Sequence, residues 1–175
     1  MKDILKPIIV LTCICLVVTT LLAVVNFVTA PIIKAAEEKA AEQARSEVLK
    51  EAKSFELMKN VKLPEGVTEV YKGSDGTGFV FMLKTKGYGG DVSLICGMRP
   101  DGSIEAMKTL SHSETTGIGS KVMDNETGLN QKFPGKTAQD QDSVEAVSGA
   151  TISSKAYKAA VRSAFEAFEI VKGVK

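Results

Sequence analysis

The sequence predicts an α+β protein: one N-terminal transmembrane helix, a helical stalk, then an antiparallel-sheet domain with packed helices. Three observations carry this reading. In a chain of 175 residues with 22 Lys plus Arg and 21 Asp plus Glu, residues 1–33 hold only Lys2, Asp3 and Lys6. Between Val67 and Leu110, short apolar runs alternate with Gly-rich turns. From about Ile152 to Val171 the apolar residues return at helical spacing. The boundaries that follow are an anchor over 1–33, a stalk over 34–62 and a domain over 63–175.

The anchor rests on Ile8–Val28, 21 residues without a charge, about the ~20 that a helix needs to cross the hydrocarbon core. A cleaved secretory signal is the rival, but its apolar region runs only ~7–15 residues, and Pro31 directly follows the small-residue tripeptide at 28–30. Lys2, Lys6 and the amino terminus, set against the mixed charges of residues 34–38, favour an inside amino terminus. The domain would then lie outside the cytoplasm, at the end of a single pass through the cell membrane.

Residues 34–59 are rich in Ala, Glu and Lys, with Ala41, Ala44, Val48, Ala52 and Phe55 at three- and four-residue steps, which predicts a helix. Glu42 with Arg45, and Glu47 with Lys50, are spaced to pair on its surface. Pro64-Glu65-Gly66 ends the pattern. The runs VTEVYK, FVFMLKTK, VSLICGM and IEAMKTL then read as about four antiparallel strands,. Cys96 falls in the buried register of the third run, and FVFML is apolar on both faces, as a strand covered on both sides should be. A turn-rich stretch and a polar segment over 124–142 follow. In the closing helix Val161, Phe165 and Phe168 are spaced to pack on the sheet.

Composition excludes several functions. A net charge of +1 without a basic cluster argues against nucleic acid as a partner,. Cys13 and Cys15 sit in the apolar run and Cys96 stands alone, so neither a disulfide framework nor a self-contained metal site is predicted. Cys13 and Cys15 face either lipid or a partner helix, and the sequence leaves both open. Electrons moved by this chain would ride on an organic cofactor.

The segment Val144 to Ser154 is a Gly-containing turn feeding the last helix. The first N–H groups of a helix lack internal partners and lie at the positive end of its dipole, so such a place favours anions. Ser148, Thr151, Ser153 and Ser154 supply hydroxyls around Gly149. These residues also serve as ordinary N-caps, and spacing alone does not separate the two uses. Four hydroxyls within seven residues exceed what one cap needs. His112 is the sole histidine; without a second ligand or nucleophile it forms no recognised site and reads as a loop residue.

These residues resemble a known family, the FMN-binding subunits of ion-pumping electron-transport complexes, with the motif Asp-x-x-Ser/Thr-Gly-Ala-Thr/Ser. Here it reads Glu145-Ala-Val-Ser148-Gly149-Ala150-Thr151, with Glu145 in place of Asp. The resemblance implies that Thr151 carries FMN through a phosphoester bond made by a flavin transferase from FAD, with Ser148, Gly149 and Ala150 shaping the cradle. A second segment, His112 to Gly119, is similar to the family's His-x-Glu-Thr-Pro-Gly-Leu-Gly, with Thr116 for Pro and Ile118 for Leu. It implies that Glu114, Thr115, Gly117 and Ile118 line the flavin. Tyr88, in the turn Gly87–Gly90, could stack on the ring or pack in the core.

Among the family's branches, the short chain most resembles the G subunit of the Rnf-type complex, which moves electrons between ferredoxin and NAD and exports sodium ions or protons. The branch of the C subunit of the sodium-pumping NADH:quinone reductase is the alternative. Either implies an electron-relay component of a translocase, without a complete substrate-turnover site of its own, partnered by other membrane subunits and lipid. A membrane-anchored binding module without cofactor is the reading from another class.

Overall fold

The computed structural model describes residues 2–173. The chain divides into two compact units, with the boundary between Ala40 and Ala41. The described residues of the first unit all belong to one helix, α1 (Lys2–Val48). Its apolar stretch, of mean hydropathy 3.0 and unburied by other parts of the chain, is long enough to cross a membrane,. Thr12, Thr19, Thr20 and Thr29 each donate their hydroxyl to the carbonyl four residues back, at 2.7 to 2.9 Å. These four hydroxyls thus find their acceptors within the helix itself, without need of water.

The second unit is built on a five-stranded antiparallel sheet in the order β1-β2-β3-β4-β5. The strands are β1 (Phe55–Leu57), β2 (Val67–Gly73), β3 (Phe79–Lys86), β4 (Asp91–Met98) and β5 (Ile104–His112). β3 and β4 pair in unbroken register from Phe79 with Met98 to Lys86 with Asp91. At the β4–β5 turn, the Asp101 carboxylate accepts from both the amide and the hydroxyl of Ser103 at 2.9 and 2.7 Å. That is the local reason why the chain reverses there.

One face of the sheet is covered by α3 (Thr151–Val171). Val161, Phe165 and Phe168 are buried against the sheet, and the Phe168 ring meets Phe79 edge-on with centroids 5.9 Å apart. Tyr157, about three turns before Phe168, stacks on Phe133. On the other face Ala44, Val48 and Leu49 cover Val80 and Ile95. The contact is so close that a Cβ at Gly97 would stand 2.1 Å from the Val48 carbonyl oxygen. This two-sided cover explains why β3 and β4 are apolar on both faces, each buried large side chain contributing about 1.5–3 kcal/mol. Cys96 is fully buried, and burial pushes its thiol far above the ordinary range.

Two expectations need correction. The predicted stalk helix over 34–59 stops at Val48, because Val48 and Leu49 bury themselves against the sheet and Phe55–Leu57 instead pairs with Tyr71–Gly73 as a fifth strand. The surface pairs Glu42–Arg45 and Glu47–Lys50 do not form. The Glu47 carboxylate accepts from Lys108 on β5, and the Arg45 guanidinium lies over the Tyr71 ring, 4.3 Å from its centroid. The polar segment 124–142, which showed no periodicity in the sequence, borders β5. Asn125 Oδ1 accepts from the Thr109 N–H at 2.7 Å, and Asn125 Nδ2 donates to the Thr109 carbonyl at 3.0 Å. Farther along, Gly135 N–H and the Lys136 carbonyl bond the two backbone groups of Ile104.

Candidate functional site

The sheet, the 112–119 loop and α3 converge on a cleft of about 400 Å³, lined by Tyr88, Glu114, Thr115, Ile118, Gly119 and the run Gly149 to Ser153. This lies within the range usual for small-molecule sites. Two segments some thirty residues apart in sequence therefore form opposite walls, each fixed in a specific way.

The 112–119 loop is held at both ends. At the close of β5, the exposed His112 turns its Nδ1 back to accept from the Glu114 N–H at 3.3 Å. Ser120 Oγ, at the start of α2 (Ser120–Met123), accepts from the Gly117 N–H at 2.8 Å. Between these points Glu114 is buried and Ile118 is exposed toward solvent.

The opposite wall is pinned by the helix it feeds. Ser154 Oγ accepts from the Val147 N–H at 3.0 Å, Lys158 Nζ donates to the Val144 carbonyl at 3.0 Å, and Arg162 pairs with Asp142 at 3.1 Å. Ser154, Lys158 and Arg162 stand four residues apart, so one stripe of α3 grips the incoming segment. The Gly149 φ of +80° lets the chain turn into the helix,. No side chain caps the first turn of α3 and no acid lies within it. Its leading N–H groups and the positive end of its dipole therefore stay available to an anion. The Thr151 side chain is exposed at this point.

The hydroxyls divide in two. Ser153 Oγ donates to the Glu114 carboxylate at 2.8 Å, and Ser154 grips the Val147 amide. Both are buried and committed to the fold, whereas Ser148 and Thr151 are exposed. The motif thus uses two hydroxyls as internal pins and leaves two outward, which resolves the excess over a simple cap.

Comparison with known proteins bears directly on this cleft. The FMN-binding domain family matches residues 87–166, and the RnfG N-terminal region matches residues 1–48. The chain is 30% identical to the G subunit of the Na(+)-translocating ferredoxin:NAD(+) oxidoreductase complex of Acetobacterium woodii, over 85% of this chain and 83% of that one. It is 30% identical to the G subunit of the ion-translocating oxidoreductase complex of Methanosarcina acetivorans, over 94% of both. The G subunit of the proton-translocating ferredoxin:NAD(+) oxidoreductase complex of Clostridium ljungdahlii is 26% identical, over 89% and 86%.

The chain belongs to the RnfG family.

Within this RnfG fold, the cleft gathers six of the eight residues expected from sequence: Glu114, Thr115, Ile118, Gly149, Ala150 and Thr151. Gly117 and Ser148 are exposed and do not line it. Tyr88 is on the rim and 71% exposed, which removes it from the core. Sequence reasoning missed Ile152, an apolar residue 58% exposed on the first turn of α3, whereas Gly119 closes the motif segment that was expected to line the cleft. Ile152 had a signal: it lies outside the stripe of Val161, Phe165 and Phe168 that faces the sheet. With Tyr88 and Ile118 it gives the cleft an apolar rim, the kind of surface that a flat aromatic ring would cover.

Proposed function

We propose that this chain is the electron-relay subunit of a membrane-bound, ion-translocating ferredoxin:NAD oxidoreductase, with FMN joined to Thr151 through a phosphoester bond. The observation that carries this is the convergence of the two motif segments on one cleft, with an exposed threonine at its uncapped helix terminus. The relatives of similar length bear the name of the G subunit, which favours this branch over the C subunit of the NADH:quinone reductase.

The residues present fit the group. Thr151 would hold the phosphate, the first-turn amides of α3 would face its charge, and Lys155 lies one turn farther on the same helix face as Thr151,. Tyr88, Ile118 and Ile152 would cover the ring and keep water from part of it. When bound, FMN supplies one- and two-electron transfer that the side chains here do not. The protein's share is position and potential, so the chain relays electrons rather than turning over a substrate. An ester bond suits a domain on the extracytoplasmic side, where a released cofactor would be lost. A flavin transferase makes that bond, and the neighbouring membrane subunits supply and remove the electrons.

The test is intact mass of the full-length chain coexpressed with a flavin transferase. Wild type gains the mass of an FMN ester, and Thr151→Ala gains none and loses its ultraviolet-excited fluorescence on a denaturing gel. A wild-type chain of unmodified mass would favour the cofactor-free binding module; a flavinylated Thr151→Ala would move the ester elsewhere.

A further inference from the structure

Glu114 is the buried acid of the fold: 7% exposed, and alone among the described residues in being a buried carboxylate. Space is made for it from two sides. A Cβ at Gly87 would stand 1.9 Å from Oε1, and a Cβ at Gly119 would stand 2.2 Å from Oε2. Both oxygens accept: Oε1 from the Gly89 N–H at 3.4 Å, and Oε2 from the Ser153 hydroxyl at 2.8 Å. The carboxylate therefore joins the β3–β4 turn, its own loop and the first turn of α3.

An apolar side chain could join the same three segments without the cost of burying a charge. The carboxylate here is poorly compensated. It has room for about four hydrogen bonds and makes one short and one long. No cation pairs with it among the described residues, and the nearby His112 ring accepts from the Glu114 backbone rather than donating to its side chain. The remaining acceptor capacity borders the cleft that Glu114 lines.

We infer that Glu114 is a positioning and potential-setting residue: its carboxylate at the cleft wall, with no cation beside it, holds the reduction potential of the bound flavin low. The inference rests on FMN occupying this cleft. Each electron that the ring takes up without a proton adds one negative charge. A fixed negative charge nearby opposes that addition, more strongly in a site partly closed to water.

The test uses full-length protein in detergent, coexpressed with a flavin transferase, as wild type, Glu114→Gln and Ser153→Ala. Intact mass reports loading, and spectroelectrochemical titration with one-electron mediator dyes supplying and accepting the electrons reports the midpoint potential. Glu114→Gln removes the charge while its carbonyl still accepts from Ser153, so its potential shifts positive. Ser153→Ala removes the better donor from the carboxylate, so its potential shifts negative. A merely structural role would move both variants in one direction; opposite shifts separate the two accounts. A loaded Glu114→Gln protein with the wild-type potential or a lower one overturns the inference. Should Glu114→Gln fail to load, Ser153→Ala decides alone, and an unchanged or raised potential overturns it. A wild-type chain without flavin mass defeats the FMN reading of the cleft, and this inference with it.

Discussion

Gly149 and its neighbour Thr151 divide the work of the motif at the level of single residues. Gly149 has a φ of +80°, yet a Cβ built on it would meet nothing within 4 Å. Conformation, not space, is what this position demands. Gly149→Ala should therefore destabilise by about 1–2 kcal/mol, the cost of holding an L-residue in the left-handed region, and Gly149→Asn by less, because Asn tolerates that region. Urea titration of the detergent-solubilised chain measures both, and equal losses for the two variants would sink the argument. The same scale shows what the sequence could and could not say. Thr151, Gly149 and Ala150 were legible because the motif is contiguous. That Ser153 and Ser154 turn inward was not, since their partners, Glu114 and the Val147 amide, are fixed only by the packing of α3 on the sheet.

Among the elements, α3 was legible almost to the residue, since its apolar spacing and the sheet that it covers agree. β1 was not legible. Phe55 continues the helical stripe of residues 41–52, and only the burial of Val48 and Leu49 and pairing with β2 pull Phe55–Leu57 into the sheet. Residues 124–142 stood out in the sequence only as polar, because their function is to complete an edge, which has no periodicity of its own. Asn125 is the critical piece, bonding both backbone groups of Thr109. Asn125→Ala leaves a part-buried N–H and C=O unpaired and should cost about 2–3 kcal/mol. Amide hydrogen exchange at Thr109 should accelerate in that variant; unchanged protection would show that the edge is sealed by other means.

At the scale of the whole molecule, acid should loosen the domain at this same border. The Asp124 carboxylate accepts from the amides of Thr127 and Glu126, and Asp140 accepts from the amide and hydroxyl of Thr137; these bonds hold both carboxyls below the usual carboxylate range. A depressed native pKa gives stability that is present above the unfolded value, about 3.9 for Asp, and is lost as pH falls through the lower native value. Urea midpoints should thus be flat from pH 7 to about 5 and fall below about pH 4. The Asp124→Asn, Asp140→Asn double variant should be less stable at pH 7 and show a shallower fall in acid. A parallel fall in both proteins would place the acid sensitivity elsewhere.

The sealed border also has a bearing on life at a membrane. A domain tethered to a bilayer meets its own copies in two dimensions, at local concentrations that a freely diffusing protein does not reach. A nine-residue strand such as β5, left open, would offer those copies a template for strand-to-strand joining,. One asparagine side chain and a two-residue backbone contact deny it that role, and the opposite border, β1, is only three residues long. Both borders of the sheet thus discourage such joining, which suits the relay role proposed above,.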